Sequence, residues 1–472
     1  MEKKNTWETY SSRQLKELEK INAQYRDFLD NGKTERECID TIVNTIEKAG
    51  YRELENLIKE GASLKTGDKV YSVWMNKSIA MFQIGRKPML EGMNILGAHI
   101  DSPRLDVKQN PLYEDGGFAY LDTHYYGGVK KYQWVTIPLA IHGVIVKKDG
   151  TCVEVNIGEN EDDPVFFVSD LLIHLAQEQL EKKAAKVIEG EALDIIVGNK
   201  PLLIDKKDKK KDEKEAGKEA VKAGVLDILK ETYDIHEEDF VSAELEIVPA
   251  GKAREAGFDR SMILAYGQDD RVCAYTSMQA MLDSNVTERT MCCILVDKEE
   301  IGSVGATGMQ SHFFENAVAE VMNLAGEYSE LNVRRCLAHS CMLSSDVSSA
   351  FDPTYASSFD KKNVAYLGGG MVINKFTGAR GKSGSNDANA EYLAHLRHVF
   401  DKAEVNFQTA ELGRVDLGGG GTIAYILALY GMNVIDSGVA VLNMHAPWEA
   451  TSKADIYEAY RGYKAFVEGA GL

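Results

Sequence analysis

The chain of 472 residues contains no apolar run that approaches the roughly 18 residues of a membrane-spanning helix. Its seven cysteines form no Cys-x-x-Cys pair, which argues against a disulfide scaffold, a zinc ribbon or a redox dithiol. Basic residues are fewer than acidic ones, since the chain has 54 Lys and Arg and 73 Asp and Glu. The resulting net charge of -19 repels a phosphate backbone. The first residues lack the apolar core of a signal peptide. We therefore predict a cytoplasmic protein with no nucleic-acid or membrane partner.

Hydrophobic residues make up 44% of the chain, and their pattern changes along it. Residues 8–60 carry apolar side chains at helical spacing, whereas residues 71–84 and 94–99 have the pattern of strands. After residue 260, strands and helices alternate, which is typical of a mostly parallel sheet flanked by helices. Between these parts, short β-type runs alternate with turn residues at 134–138, 144–147, 152–155, 193–197 and 243–248.

This pattern predicts an α/β protein whose catalytic domain is interrupted by an inserted β-rich domain. The predicted catalytic domain comprises residues 1–106 and 256–472, and the insert comprises residues 107–255. Within the insert, residues 205–222 hold eight lysines and six acidic residues. Such a mixed charge run is typical of a solvated loop or an exposed helix, and we do not interpret it as a binding tail.

Ligand-type residues follow five of the predicted strands. In open α/β sheets, binding sites form beyond the carboxyl ends of the strands, so these residues are expected to meet at one edge. A carboxylate cluster without a cation would repel itself, which favours a bound metal. The residues, in chain order, are His99 and Asp101, the pair Asp269-Asp270, the pair Glu299-Glu300, Asp346 and His445.

The donor types indicate which metal would bind. Two histidines with several carboxylates suit zinc, cobalt or manganese, whereas calcium and magnesium favour oxygen ligands alone. A single catalytic zinc uses three protein ligands, so five groups fit two metal ions that share one carboxylate and hold a hydroxide between them. The five are His99, Asp269, Glu300, Asp346 and His445.

Two acidic residues outside this set of five, Glu299 and Asp101, are candidates for supporting roles in catalysis. Glu299 is left for proton transfer, although spacing alone does not decide between it and the adjacent Glu300. Asp101 comes two residues after His99 and could orient the imidazole. The whole pattern predicts metal-assisted hydrolysis.

A run of four glycines, residues 418–421, precedes a predicted helix at 423–429. Its backbone N–H groups could bind an oxyanion or a substrate carboxylate, with Gly419 as the candidate substrate-binding residue. The alternative interpretation is a tight turn between packed elements. The run has neither the Lys-Ser/Thr ending of a P-loop nor the spacing of a dinucleotide fingerprint.

Five segments together resemble the aspartyl aminopeptidase family of dinuclear metallopeptidases, in the same order and over nearly the whole chain. They read GAHIDSPR at 97–104, QDDR at 268–271, DKEEIGS at 297–303, SSD at 344–346 and NMH at 443–445. The resemblance implies an enzyme that removes N-terminal residues from peptides with two divalent ions, zinc before cobalt or manganese. It assigns His99 and Asp346 to one metal, Glu300 and His445 to the other, Asp269 to the bridge, and Glu299 to the general base.

The resemblance also implies a hollow homododecamer in which the inserted domain makes dimer contacts. His174 matches a histidine that reaches into the active site of a neighbouring subunit. An ordinary helical histidine is the alternative interpretation.

The chain departs from the family pattern at one position that bears on specificity. Acid-specific members carry a lysine in the segment that matches residues 370–374, where this chain has Asn374. Lys375 and Arg380 come next and are candidate substrate-binding residues, but a shift of one residue on a strand turns a side chain to the other face. A preference for N-terminal Asp or Glu and a neutral or broader preference are both compatible with this pattern.

Two other classes of function compete with the dinuclear aminopeptidase. One is a non-catalytic, self-assembling scaffold of the same fold, and the other is a different metal-dependent amide hydrolase such as a deacylase. Glu299 beside all five ligand candidates favours an active enzyme, because a non-catalytic relative is expected to have lost at least one of them.

Overall fold

The computed structural model describes residues 5–202, 219–378 and 380–469. Most of the charged run predicted at residues 205–222 lies outside these ranges, so its predicted loop or helix is described only from residue 219 onward. Within the described ranges, no helix combines the length and the apolar character that crossing a membrane requires.

The helices and strands alternate through most of the chain. The helices are α1 Ser12–Asp30, α2 Glu35–Lys48, α3 Leu54–Glu60, α4 Gln177–Leu180, α5 Ala184–Val187, α6 Ala220–Tyr233, α7 Gln268–Leu282, α8 Phe313–Leu324, α9 Glu330–His339, α10 Ala390–Lys402, α11 Ala424–Ala428 and α12 Lys453–Gly469. The strands are β1 Arg52–Glu53, β2 Lys69–Trp74, β3 Ser78–Gln83, β4 Asn94–His99, β5 Arg104–Asp115, β6 Phe118–Tyr126, β7 Leu139–Val146, β8 Cys152–Ile157, β9 Ile195–Gly198, β10 Ala243–Pro249, β11 Arg254–Ala256, β12 Met262–Ala265, β13 Met291–Val296, β14 Cys341–Ser345, β15 Ser348–Ser349, β16 Met371–Asn374, β17 Phe407–Thr409, β18 Asn433–Gly438, β19 Ala440–Leu442 and β20 Glu449–Ser452.

The largest sheet has nine strands in the order β1-β2-β3-β13-β4-β14-β18-β16-β17. Its centre, β13-β4-β14-β18, is parallel throughout, whereas β3 and β16 run antiparallel to the neighbours β13 and β18. The mixed α/β fold predicted from the sequence is therefore confirmed.

The central strands are buried because helices cover both faces of this sheet. All six residues of β4 and of β13 are buried, as expected for parallel strands between two helical layers. One face packs apolar residues of α1, α2, α7, α10 and α12, and the other packs those of α3, α8, α9 and α11.

The first two helices begin where the sequence supplies caps. The Ser11 hydroxyl accepts a hydrogen bond from the backbone N–H of Gln14, and the Gln14 side chain accepts one from the backbone N–H of Ser11. Thr34 and Glu37 form the same capping box at α2. Such reciprocal caps satisfy backbone N–H groups that have no partner inside the helix.

The chain divides into two compact units. The first is formed by Met1–Ser102, Ala253–Met444 and Trp448–Leu472, and the second by Pro103–Lys252 with His445–Pro447. The first holds the nine-stranded sheet and a five-stranded sheet, β11-β12-β20-β19-β15. The second holds a six-stranded antiparallel sheet, β8-β7-β10-β5-β6-β9.

One predicted strand is wrong. Residues 134–138 form a bend after the short 3-10 turn Lys131–Gln133, and β7 begins only at Leu139. This segment has the composition of a strand but not the backbone conformation of one, because Thr136 adopts a φ of +62°, which lies outside the strand region.

Candidate metal centre

Three parallel neighbours of the nine-stranded sheet carry ligand-type residues to a common edge. His99 is the last residue of β4, and Asp346 comes directly after β14. On the other side of β4, β13 leads into the 3-10 turn Glu299–Ile301. Because β13, β4 and β14 run in the same direction, their carboxyl ends meet, as the strand-end argument predicts.

The other two predicted strand ends do not belong to this edge. Strands β12 and β19 are part of the five-stranded sheet, where each pairs antiparallel with β20. Asp269 lies in the first turn of α7, after β12, and His445 lies just beyond β19. The prediction of one shared edge for all five strands is therefore wrong for these two, because an alternation of strands and helices does not state which sheet a strand joins.

The structure nevertheless gathers all five predicted ligands into two groups of three. His99, Asp269 and Asp346 form one group, and Asp269, Glu300 and His445 form the other. Within each group, one nitrogen or oxygen of every member lies within 4.8 Å of the others. Asp269 belongs to both groups, so a carboxylate shared by two metal ions is compatible with this arrangement.

Charge and donor chemistry both fit divalent cations in these groups. Burial, together with the charges of Asp270 and Glu299, raises the pKa of the Asp346 carboxyl well above its usual range. Burial also lowers the pKa of His99, but the hydrogen bonds that the ring donates to Asp101 and Asp269 and the charge of Glu299 outweigh it, and the net pKa is raised. A buried site this rich in carboxylates requires positive charge, and mixed imidazole and carboxylate donors suit zinc.

Asp101 organises two parts of the site. Its backbone carbonyl lies 3.0 Å from Nδ1 of His99, which leaves Nε2 directed at Asp269 Oδ1, 3.3 Å away. Its carboxylate accepts the backbone N–H groups of Glu299 and Glu300, each at 3.1 Å. The sequence indicated only the contact with the imidazole. The two hydrogen bonds to the turn Glu299–Ile301 depend on a bend at Lys298, whose φ is +69°.

His445 is held in a similar way. Its Nδ1 lies 3.0 Å from the carbonyl oxygen of Gly128, a contact that orients the ring, and Nε2 is then the nitrogen that would bind a metal ion. A Cβ atom at Gly128 would lie 3.0 Å from Nδ1 of His445, closer than most side-chain contacts, so the glycine leaves room for the ring.

The remaining predicted residues lie outside the two groups. His174 is exposed on the 3-10 turn Ile173–Leu175 of the second unit. Lys375 is exposed, with Nζ 3.4 Å from Asp387, and the backbone N–H of Arg380 donates to Val415. Gly419 lies between Gly418 and Gly420, whose N–H groups donate to the carbonyls of Arg414 and Thr377.

Two acidic residues near these groups were not predicted from the sequence. Glu449 of β20 is buried, and its Oε2 accepts the backbone N–H of Asp269 at 3.0 Å. Asp436 of β18 is also buried, and the Thr422 hydroxyl donates to its Oδ1 at 2.6 Å. Burial, with a smaller contribution from the charge of Glu299, raises the pKa of Asp436 to about 7. In the sequence, both residues are recognisable only as acidic residues inside a strand. The strand-end argument does not select them, because it considers only residues at or beyond the end of a strand.

Comparison with known proteins identifies the family. The sequence profile of the M18 peptidases, described as aminopeptidase I zinc metalloprotease, matches residues 28–467. The chain belongs to this family. A probable M18 family aminopeptidase 1 from Clostridium acetobutylicum is 62% identical over 466 residues, which are 99% of this chain and 98% of that protein. The family resemblance stated from the five segments is confirmed, and the chain is a zinc aminopeptidase that hydrolyses peptide bonds.

Solved structures share the fold of this M18 aminopeptidase. The crystal structure of the M18 aminopeptidase from Thermotoga maritima superposes with a TM-score of 0.93 at 44% identity and covers 100% of both chains. The yeast aminopeptidase 1 dodecamer has a TM-score of 0.75 at 19% identity, covers 95% of this chain and 96% of that one, and shows the fold alone. The scaffold and deacylase alternatives find no support in these comparisons.

Proposed function

We propose that this M18 aminopeptidase works with two divalent metal ions in each subunit, zinc in the first place. His99 and Asp346 would hold one ion, Glu300 and His445 would hold the other, and Asp269 would bridge them. The observation that carries the proposal is that Asp269 belongs to both groups of ligand atoms. Three donors for each ion leave a coordination position open for water or substrate, as catalytic zinc sites do.

Glu299 is proposed as the general base. Bound divalent cations would polarise the scissile carbonyl and lower the pKa of a water molecule. Glu299 belongs to neither ligand group, yet its Oε2 lies 3.9 Å from Nε2 of His99. It would take a proton from the water that attacks the carbonyl carbon and give it to the amine nitrogen as the C–N bond breaks. Asp101 would keep this carboxylate in place through the backbone of the turn.

Three further residues are proposed to contact the peptide. Lys375 and Arg380 are exposed cations at the end of β16 and beyond it, and they would offer positive charge to a carboxylate of the peptide. Gly419 has a φ of +119°, which favours glycine, and its N–H could bind a substrate carbonyl or carboxylate.

The test of this function compares a free with a blocked N-terminus. The enzyme is expected to hydrolyse leucine 4-nitroanilide and to leave the N-acetylated compound intact. A chelator should abolish the activity, and zinc, cobalt or manganese should restore it, with two ions per chain by elemental analysis. Hydrolysis of N-acetyl amino acids would indicate a deacylase instead, and a metal-free inactive protein would favour the scaffold.

The insert predicted from the sequence, which makes up most of the second unit, is proposed to form the contacts between subunits. We assign the catalytic domain to residues 1–106 and 256–472 and the dimerisation domain to residues 107–255. Residues 171–175 support a protein contact, because Leu172, Ile173 and Leu175 are 54%, 67% and 67% exposed. His174 lies among them and would reach a neighbouring active site. The seven free thiols are typical of a reducing compartment such as the cytoplasm.

We expect a closed homododecamer of twelve chains of 52.2 kDa, as in the yeast relative of this fold. Light scattering should give that mass for the wild-type protein and a smaller one for Ile173→Glu, because a charge would be buried in the contact. Leu331→Glu alters an equally apolar residue, 55% exposed on α9, and should leave the mass unchanged. A fully active monomer would contradict the assembly.

A further inference from the structure

The second unit contains an apolar cavity between helix α6 and its six-stranded sheet. The cavity has a volume of about 200 Å³, and all the residues that line it lie within residues 121–245. Fourteen of the fifteen lining side chains are hydrocarbon, and the fifteenth is Tyr233 at the end of α6. Protein interiors seldom leave a space larger than a water molecule, so a cavity of this size is unusual in a folded domain.

The floor of the cavity is a face of the sheet that lacks one side chain. Gly143 of β7 pairs with Val155 of β8 on one side and with Leu245 of β10 on the other. Paired residues share a face of a sheet, and both of these neighbours line the cavity. A Cβ atom at Gly143 would collide with the backbone carbonyl oxygen of Glu244, so a larger residue cannot fill this position.

Polar contacts hold helix α6 above this floor at both of its ends. The Glu114 carboxylate accepts the backbone N–H groups of Val221 and Lys222, at 2.8 and 3.0 Å. Directly after the helix, the Asp234 carboxylate lies 2.6 Å from Nζ of Lys147. A helix that is fixed at its first turn and just beyond its last residue spans the space between them, so the cavity exists in the folded unit before any ligand binds.

The lining determines which molecules the cavity can hold. A buried water molecule needs about three polar partners, and the hydrocarbon side chains of the floor provide none. A charged ligand would lose its hydration there without a compensating partner. A cavity of about 150 Å³ with a comparable lining stays dry and binds benzene. Pro164 and Ile228 are the two exposed residues of the lining, and they mark the opening through which a ligand can enter.

We propose that this cavity is a binding site for a small, uncharged, apolar ligand of the size of one aromatic ring or two fused rings. Dispersion contacts with the lining and the removal of apolar surface from water would provide the binding free energy. The residues of the candidate metal centre are not part of the lining, so the site is separate from the catalytic one. A ligand that binds only the folded unit should also raise its melting temperature.

The first experiment titrates the metal-loaded enzyme with indole in a calorimeter and follows thermal melting at the same indole concentrations. The wild-type enzyme should bind one indole per chain and melt at a higher temperature as indole is added. Val155→Phe places a ring in the space beside Gly143 and should weaken the binding by at least about tenfold. Val146→Phe is the matched control, because the same substitution then lies on the opposite face of the sheet, where Val146 is 40% exposed. This control should bind indole like the wild-type enzyme.

The second experiment locates the ligand by anomalous diffraction from crystals of the enzyme equilibrated with iodobenzene. An iodine peak between α6 and the sheet is the expected result. Iodine found only elsewhere, such as at the metal centre, would overturn the inference, as would ordered water or a side chain of a neighbouring subunit that fills the cavity. Equal indole affinity in Val155→Phe and the wild-type enzyme would also overturn it. If Val155→Phe does not fold, the position of the iodine and the smaller change Val155→Leu decide.

Discussion

Replacement of Glu299 by Gln is expected to lower kcat by about 10²–10⁴-fold while both metal ions stay bound. The amide has the shape of the carboxylate but cannot take a proton from the attacking water. Glu299 belongs to neither group of ligand atoms, so its replacement removes no donor from either ion. Steady-state kinetics on leucine 4-nitroanilide, together with elemental analysis of the purified variant, measure the two effects separately.

The adjacent glutamate provides the matched control. Glu300 lies on the same turn, and Asp101 holds the backbone N–H groups of both residues at 3.1 Å. Glu300→Gln should therefore disturb the turn no more than Glu299→Gln does. Because Glu300 belongs to the group with Asp269 and His445, its replacement should weaken one metal site, with activity partly restored at high metal concentration. Metal loss in Glu299→Gln and retention in Glu300→Gln would reverse the two roles.

The parallel centre of the main sheet is the part of the site that the sequence predicts best. Strands β4, β13 and β14 are short and largely apolar, and a proposed ligand is the last residue of the strand or follows within four residues of its end. Parallel strands send their carboxyl ends to one edge, so a correct strand assignment already places His99, Glu300 and Asp346 together. A bend after Lys298 also follows from the sequence, because successive side chains of an extended strand point in opposite directions and both glutamates could not otherwise face the same site. The φ of +69° at Lys298 provides this bend.

The other parts of the site depend on the pairing of strands that are far apart in the sequence, which local sequence patterns do not specify. Strands β12 and β19 resemble those of the main sheet in composition, yet they join a second sheet through β20. Asp436 and Glu449 were not predicted as site residues because they lie within strands. There, the alternation of apolar and polar residues predicts which side chains are buried but not what a buried carboxylate contacts. The pairing of Asn374 with Asp436, which lies 62 positions further along the chain, likewise cannot be read from the sequence.

Replacement of Asp269 by Asn should remove both metal ions, whereas replacement of a ligand in one group should remove one. Asp269 is the member that the two groups share, while Asp346 and His445 each belong to a single group. Metal content should fall from two ions per chain towards none in Asp269→Asn, and to about one in Asp346→Ala or His445→Ala. We expect activity to fall by more than about 100-fold in Asp269→Asn, beyond the range typical of residues that only support a ligand.

Asp270 is the control for this prediction because it is the buried neighbour of Asp269 but belongs to neither group. Its Oδ2 accepts the backbone N–H of His99 at 3.4 Å, so it supports the strand end without offering a ligand atom to these groups. Asp270→Asn should retain two ions, since an amide oxygen can still accept that hydrogen bond. Loss of both ions in Asp270→Asn, with full occupancy in Asp269→Asn, would move the bridge to Asp270. Full occupancy in both variants would contradict a carboxylate shared by the two ions.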